Sequence, residues 1–245
     1  MTNRKIRAPF PWFGGKGSPK IKKALLAALP PHRFYIEPFG GGASILLAKP
    51  PAEVEVYNDV NRGVVNFFRV IASRDYFGPF MARVRELPYS RELYEEFLRT
   101  WPAIHDPVEQ AVRIQKVQIK CCDWRDCLER FGGPDWLAYC DPPYVMGSRK
   151  AGGYEHELRD SDHEALIETL LRYRGAVVLS GYDNALYAPL AAAGWDKAGL
   201  NVCCSAVGRT RHSGLQGAGK VREKQKRIEC IWRNPEAMRR IATRG

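Results

Sequence analysis

The sequence predicts a three-layer α/β domain with a mostly parallel sheet, a C-terminal antiparallel strand and one small helical insert. Three observations carry this reading. Short apolar runs of strand length alternate with longer segments whose apolar residues recur at helical spacing, the pattern that builds a parallel sheet between helical layers. The alternation breaks once, over residues 72–113, where a charged and aromatic stretch keeps helical spacing without offering a strand. It closes with two β-like runs flanking a basic, glycine-rich loop, which reads as an antiparallel pair.

Taken in order, SPKIKKALLAALP is a helix with Ser18 as N-cap, Pro19 at its first position and Pro30 as its stop. RFYIEPFGGGASILLA is a short strand, a glycine turn and the start of a helix. EVEVYND is a strand ending in polar residues, and NRGVVNFFRVIA is the amphipathic helix after it. Beyond the insert, VRIQKVQIKCCDW resumes β character, DWLAYCD is the next strand, HEALIETLLRYR a helix and GAVVLSGYD another strand. NALYAPLAAAGW is helical, and DKAGLNVCCSAV with KRIECIWRN forms the final pair.

A chain of 245 residues with 45% hydrophobic content buries one large core, which excludes a disordered protein. Lys and Arg number 38 against 27 Asp and Glu, a formal charge of +11, which favours a polyanionic partner: nucleic acid or an acidic membrane surface. The seven cysteines include the adjacent pairs Cys121–Cys122 and Cys203–Cys204 but no CxxC, so neither a zinc ribbon nor a thioredoxin motif is present, and reduced thiols are expected. The basic N-terminus lacks the apolar core of a signal peptide and no apolar run has the length of a membrane span, so the expectation is a soluble, cytoplasmic protein.

Polar signals gather where predicted strands end. In EPFGGGAS the glycines let the backbone approach a ligand, although a plain tight turn accounts for a glycine triplet equally well. The stretch fails as a dinucleotide fingerprint because Ile45 stands where a glycine is needed, and GGKGS fails as a P-loop because Gly17 follows Lys16. Asp59 closes the second strand, where an acid commonly accepts hydrogen bonds from ribose hydroxyls; capping of the next helix by Asn58 or Asp59 is the competing role. Asp123, beside Trp124, sits after the third β-like run and is placed near an adenine ring or simply at the surface. YCDPPY ends the DWLAY strand with two prolines, which stop the strand and expose Asp141 and Tyr144. His156 and His163 match no standard zinc spacing and are expected in surface or capping roles, with no metal.

In this order, PFPWFGGKGSPK, FYIEPFGGGAS, VYNDVN and YCDPPY resemble the S-adenosylmethionine-dependent DNA adenine methyltransferases of the Dam-like group, over most of residues 8–71 and 115–233. The resemblance implies a bacterial or phage-encoded enzyme with a Rossmann-like methyltransferase domain of residues 1–71 and 114–245, and a target-recognition insert of residues 72–113. It implies that Trp12 and Lys16 border S-adenosylmethionine, that Glu37, Phe39 and Gly41 shape its pocket, that Asp59 holds its ribose and that Asp123 meets its adenine. Asp141, Pro142, Pro143 and Tyr144 then hold the target base. Two departures stand out: Ala43 replaces the second glycine of the family's Phe-x-Gly-x-Gly, and the insert is short and lacks the hairpin of the GATC-specific members.

The chemistry is arguable from the residues. An exocyclic amine is a poor nucleophile because its lone pair is conjugated with the ring. A carboxylate at Asp141 and the carbonyl of Pro142 accept its two hydrogens and stabilise the positive charge that develops on methyl transfer. Tyr144 offers a face for a base flipped out of double-stranded DNA. Cys140 is expected as a packed strand residue. Cations in the insert (Arg83, Arg85, Arg91) and in the glycine-rich loop (Arg209, Arg211, Lys220) suit contacts to DNA, though solvated surface is their bland alternative. A cytosine-amine enzyme usually has Ser before Pro-Pro, and an RNA or protein-glutamine enzyme Asn; an inactive DNA-binding relative is the alternative from another class. A monomer is expected, with a dimer as the alternative.

Overall fold

The computed structural model describes residues 8–10, 12, 16, 18–86, 107–145, 156–203 and 226–243. Among them, β1 (Phe34–Glu37), β2 (Val54–Asn58), β3 (Gln118–Lys120), β4 (Trp136–Cys140), β5 (Ala176–Tyr182), β6 (Asp196–Cys203) and β7 (Lys226–Arg233) form one sheet. Their spatial order is β3-β2-β1-β4-β5-β7-β6. β1 to β5 pair in parallel, with Ile36 in register with Val56 on one side and Ala138 on the other. β7 runs antiparallel to both β5 and β6.

The helices are α1 (Pro19–Ala28), α2 (Arg62–Ala72), α3 (Arg74–Glu86), α4 (Pro107–Ile114), α5 (Trp124–Arg130), α6 (Asp160–Arg172), α7 (Ala188–Ala192) and α8 (Pro235–Ala242). Successive strand residues point to opposite faces, so each strand feeds two cores. Tyr35, Tyr57, Leu137, Tyr139 and Val178 join Leu25 of α1, Val64, Val65 and Phe68 of α2 and Ile114 of α4. Ile36, Val56, Ala138, Cys140, Val177 and Leu179 join Trp124 and Leu128 of α5 and Leu166, Ile167 and Leu170 of α6. Cover on both faces is why these strands read as near-continuous apolar runs. The Cys140 thiol lies in this packing, and burial drives it well above the usual thiol range.

Four local expectations are corrected. The glycine turn leads into a run of turns over residues 44–48 rather than a helix, with Leu47 N bonded to Ala43 O (3.0 Å) and Lys49 N to Ile45 O (2.9 Å); Pro50 and Pro51 stop the chain from coiling further. Val112–Ile114 belong to α4 rather than to a strand: α4 contacts α2 and buries Ala111 and Ile114, while Val112 faces outward. Asn61, not Asn58 or Asp59, caps α2, accepting from Val64 N at 3.1 Å. His163 is fully buried, its Nδ1 at 3.2 Å from the Tyr187 hydroxyl, because α6 turns this position inward.

The segment that follows α2 packs back on it: α3 and α4 both contact α2, with Phe80 edge-on to Phe67 at 6.2 Å. Beneath α4 lies a buried charge cluster. Glu55 of β2 accepts from Lys49 (2.5 Å) and from Arg113 (2.8 Å to Oε1, with a second contact to Oε2), while Arg113 also donates to Leu46 O at 2.8 Å. Among the described residues no helix is long and apolar enough to cross a membrane.

Candidate active site

The strand order reverses between β1 and β4, and in open α/β sheets the crevice at the carboxyl ends of strands flanking such a reversal is where ligands bind. Here that crevice is a cleft of about 550 Å³, lined by the segments that leave β1, β2, β3 and β4. Trp12, Lys16, Glu37, Phe39, Gly41, Asp59, Asp123, Asp141 and Pro143 all face it.

On the β1–β2 side the glycine turn is shaped by close packing. A Cβ on Gly40 would lie 2.2 Å from the Tyr57 ring, and one on Gly41, whose φ is +46°, would lie 2.6 Å from the Trp12 indole. Ala43 has φ +54°, a left-handed conformation that costs an L-residue, which gives a physical reason for a glycine at this position. Asp59 ties the turn to β2: its Oδ2 accepts from Gly41 N and its Oδ1 from Asn61 N, each at 2.8 Å. Burial raises the Asp59 pKa, with these amides pulling the other way. Asn58, buried at the end of β2, donates to Pro38 O and Cys122 O and accepts from Cys122 N, each at 3.0 Å, so one side chain fixes three strand exits.

Glu37 is buried and accepts from the Tyr35 hydroxyl at 2.7 Å. Burial pushes its pKa up from 4.5 to about 8. A carboxyl raised in this way is neutral in the folded chain while ionised in the unfolded one, so its contribution is fully present below about pH 4.5 and is lost as pH rises toward 8. In ligand-free protein, Glu37→Gln is therefore expected to gain thermal stability relative to the parent as pH is raised from about 5 to about 9. A difference that stays flat with pH contradicts this.

At β4 the network is denser. Lys16 Nζ sits 2.7 Å from Asp141 Oδ1 and 3.2 Å from Glu229 of β7, and Ser180 of β5 donates to the same Asp141 oxygen at 2.7 Å. The Tyr144 hydroxyl accepts from Lys16 and donates to Glu229. Burial disfavours the Lys16 ammonium, but Asp141 and Glu229 outweigh it and raise its pKa. Tyr144 is buried, not at the cleft wall: Tyr182 packs against its ring at 4.6 Å, and Lys16 Nζ lies 4.6 Å from the ring centroid. Pro142 is buried and does not line the cleft, whereas the partly buried Pro143 does.

Two matches to the family of D12 class N6 adenine-specific DNA methyltransferases cover residues 12–112 and 94–188, most of the chain and every strand exit just described. The chain belongs to that family. It is thus an adenine-specific DNA methyltransferase by membership, and DNA is its substrate class. Similar solved structures include the precorrin 8W decarboxylase of Methanobacterium thermoautotrophicum (11% identity, TM-score 0.43, covering 94% of this chain and 96% of that one). They also include the C-terminal domain of precorrin-6Y C5,15-methyltransferase from Rhodobacter capsulatus (13%, 0.42, 96% and 99%) and an rRNA methylase from Streptococcus thermophilus (10%, 0.39, 90% and 98%). Likeness at this level says nothing of substrate. A search of curated proteins finds no match.

In this methyltransferase the residues anticipated from the motifs are not all placed alike. Asp123 is exposed and caps α5, accepting from Arg125 N at 2.8 Å, while still facing the cleft. Arg83 is exposed on α3 and does not line the cleft. Arg91, Arg209, Arg211, Lys220 and the side chain of Arg85 lie outside the described residues. Sequence reasoning missed Glu229 and Ser180, and also the wall formed by His156, Glu157 and Leu158, which line the cleft together with Asp162 of α6. Arg125 joins that wall to α5 through Asp162 at 2.7 Å.

Proposed function

We propose that this enzyme transfers a methyl group from S-adenosylmethionine to the exocyclic 6-amino group of adenine in double-stranded DNA, on a base turned out of the helix. The observation that carries this reading is that one cleft joins Asp59 and the glycine turn to Asp141 of Asp-Pro-Pro-Tyr. The residues fit the cofactor. Asp59 accepts the Gly41 amide at Oδ2 and the Asn61 amide at Oδ1, and a carboxylate has further lone-pair directions for a ribose hydroxyl. Phe39 and Trp124, 6.1 Å apart, offer apolar faces, and the cleft volume lies within the range that encloses ligands of this size.

Bound there, S-adenosylmethionine supplies an electrophilic methyl group on a cationic sulfur. Asp141 and the Pro142 carbonyl accept the amine hydrogens, which turns the nitrogen lone pair out of the ring and toward the methyl carbon. Tyr144 supplies the ring on which the flipped base stacks, and stacking with edge hydrogen bonds offsets an unstacking cost of a few kcal/mol. The insert of residues 72–113, with Arg83, Arg85 and Arg91, reads target sequence, and Arg209, Arg211 and Lys220 contact phosphates.

The test is incubation of purified protein with methyl-labelled cofactor and DNA, followed by nucleoside analysis. Label in N6-methyladenine is expected; label in N4-methylcytosine overturns the base assignment, and no transfer overturns the whole reading. For the cofactor half, Asp59→Ala is expected to weaken S-adenosylmethionine binding by about 1–3 kcal/mol while leaving DNA affinity unchanged. Unaltered binding by calorimetry in a folded variant would reduce Asp59 to a structural tie between the glycine turn and α2.

A further inference from the structure

We infer that Glu229 is a positioning residue for methyl transfer, which shares the Lys16 ammonium so that the Asp141 carboxylate keeps its negative charge available to the target amine. This rests on the assignment of Asp141 to that amine. Glu229 belongs to β7, the strand that runs against its neighbours, and pairs with Tyr182 of β5 and Leu200 of β6. It is 3% exposed, so its charge is not screened by water. Its Oε1 reaches both Lys16 Nζ (3.2 Å) and the Tyr144 hydroxyl. Lys16 is likewise buried, and its Nζ lies closer still to Asp141 Oδ1, at 2.7 Å.

The electrostatic consequence follows from the reaction. The amine nitrogen uses its lone pair to form the new N–C bond as the C–S bond breaks and its electron pair stays on sulfur. Positive charge therefore leaves sulfur and arrives on nitrogen, until a proton leaves that nitrogen for a carboxylate or water. An ammonium paired with Asp141 alone would cancel the charge meant to stabilise this nitrogen. With Glu229 present the buried group carries two carboxylates against one ammonium and stays net negative. Asp141 Oδ1 takes both Lys16 and Ser180, and Oδ2 enters neither contact and is left to meet the amine.

The experiment compares turnover and cofactor affinity for Glu229→Gln, Glu229→Asp and Asp141→Asn, using labelled cofactor and DNA. Glu229→Gln keeps the shape and loses the charge; its kcat is expected to fall about 10- to 100-fold with cofactor affinity held within about threefold. Glu229→Asp keeps the charge at a longer reach and is expected to turn over at least about fivefold faster than Glu229→Gln. If Gln exceeds Asp, or if Glu229→Gln turns over like the parent, the inference is overturned. Asp141→Asn separates the two levels: parent-like turnover in that variant sinks the assignment of Asp141, whereas collapse there beside an active Glu229→Gln sinks the role of Glu229 alone. Should Glu229→Gln fail to bind cofactor, Glu229→Met takes its place and must likewise fall below Glu229→Asp.

Discussion

Asp141→Ala is expected to lower turnover by roughly a thousandfold while cofactor affinity stays within about threefold. The split follows from position. Asp141 follows directly on β4, whereas Asp59 and the glycine turn follow β2 and β1, so the reading places Asp141 against the nitrogen that gains charge rather than against the cofactor. Its removal leaves the Lys16 ammonium still paired with Glu229 and bonded to the Tyr144 hydroxyl, so the fold should persist. Turnover at saturating cofactor and DNA, set beside calorimetric cofactor binding, checks both halves. An equal loss in binding would move Asp141 into the cofactor pocket.

Glu55→Gln is expected to destabilise the fold by about 3–5 kcal/mol, because it strands two buried cations at once. Glu55 is 2% exposed and is the shared partner of Lys49 and Arg113, the latter held on α4 and also bonded to Leu46 O. Burial pushes the Glu55 pKa up, but Arg113 and Lys49 pull it down further, to below 4.5. A depressed carboxylate contributes stability that is present above its unfolded pKa and is lost as pH falls through the folded value, so the gap between variant and parent should narrow and close as pH falls below 4.5. Urea denaturation at neutral and acid pH measures this. A midpoint unchanged at neutral pH would show the cluster to be dispensable.

The sheet was legible because β1, β4 and β5 are buried on both faces and their apolar runs are sharply bounded by turn residues. Glycines and prolines marked strand exits such as Pro38–Gly42 and Pro142–Pro143, and an open sheet converts those exits into neighbours across one crevice. What stayed hidden has a common cause in tertiary context. Val112–Ile114 carry β-branched residues yet lie in a helix that contacts α2 and buries Ile114. The short helix α5 buries only Trp124, Cys127 and Leu128, too few to show a period. Glu229 reads as the polar position of an alternating strand, and only the fold brings it against Lys16 from the far end of the sequence. Ser180 likewise looks like any small strand residue until β5 is set beside Asp141.

The place of β7 bears on how the protein is made. β7 inserts between β5 and β6, and among the described residues β6 has its ladder with β7 alone. During synthesis β6 therefore emerges before the strand it needs, and the free edge of β5 stays open until residues 226–233 leave the ribosome. The same residues deliver Glu229. A nascent chain that has already assembled the β1–β2 half of the cleft still lacks the second carboxylate partner of Lys16, so cofactor binding and turnover should mature at different moments of translation, with turnover the later of the two.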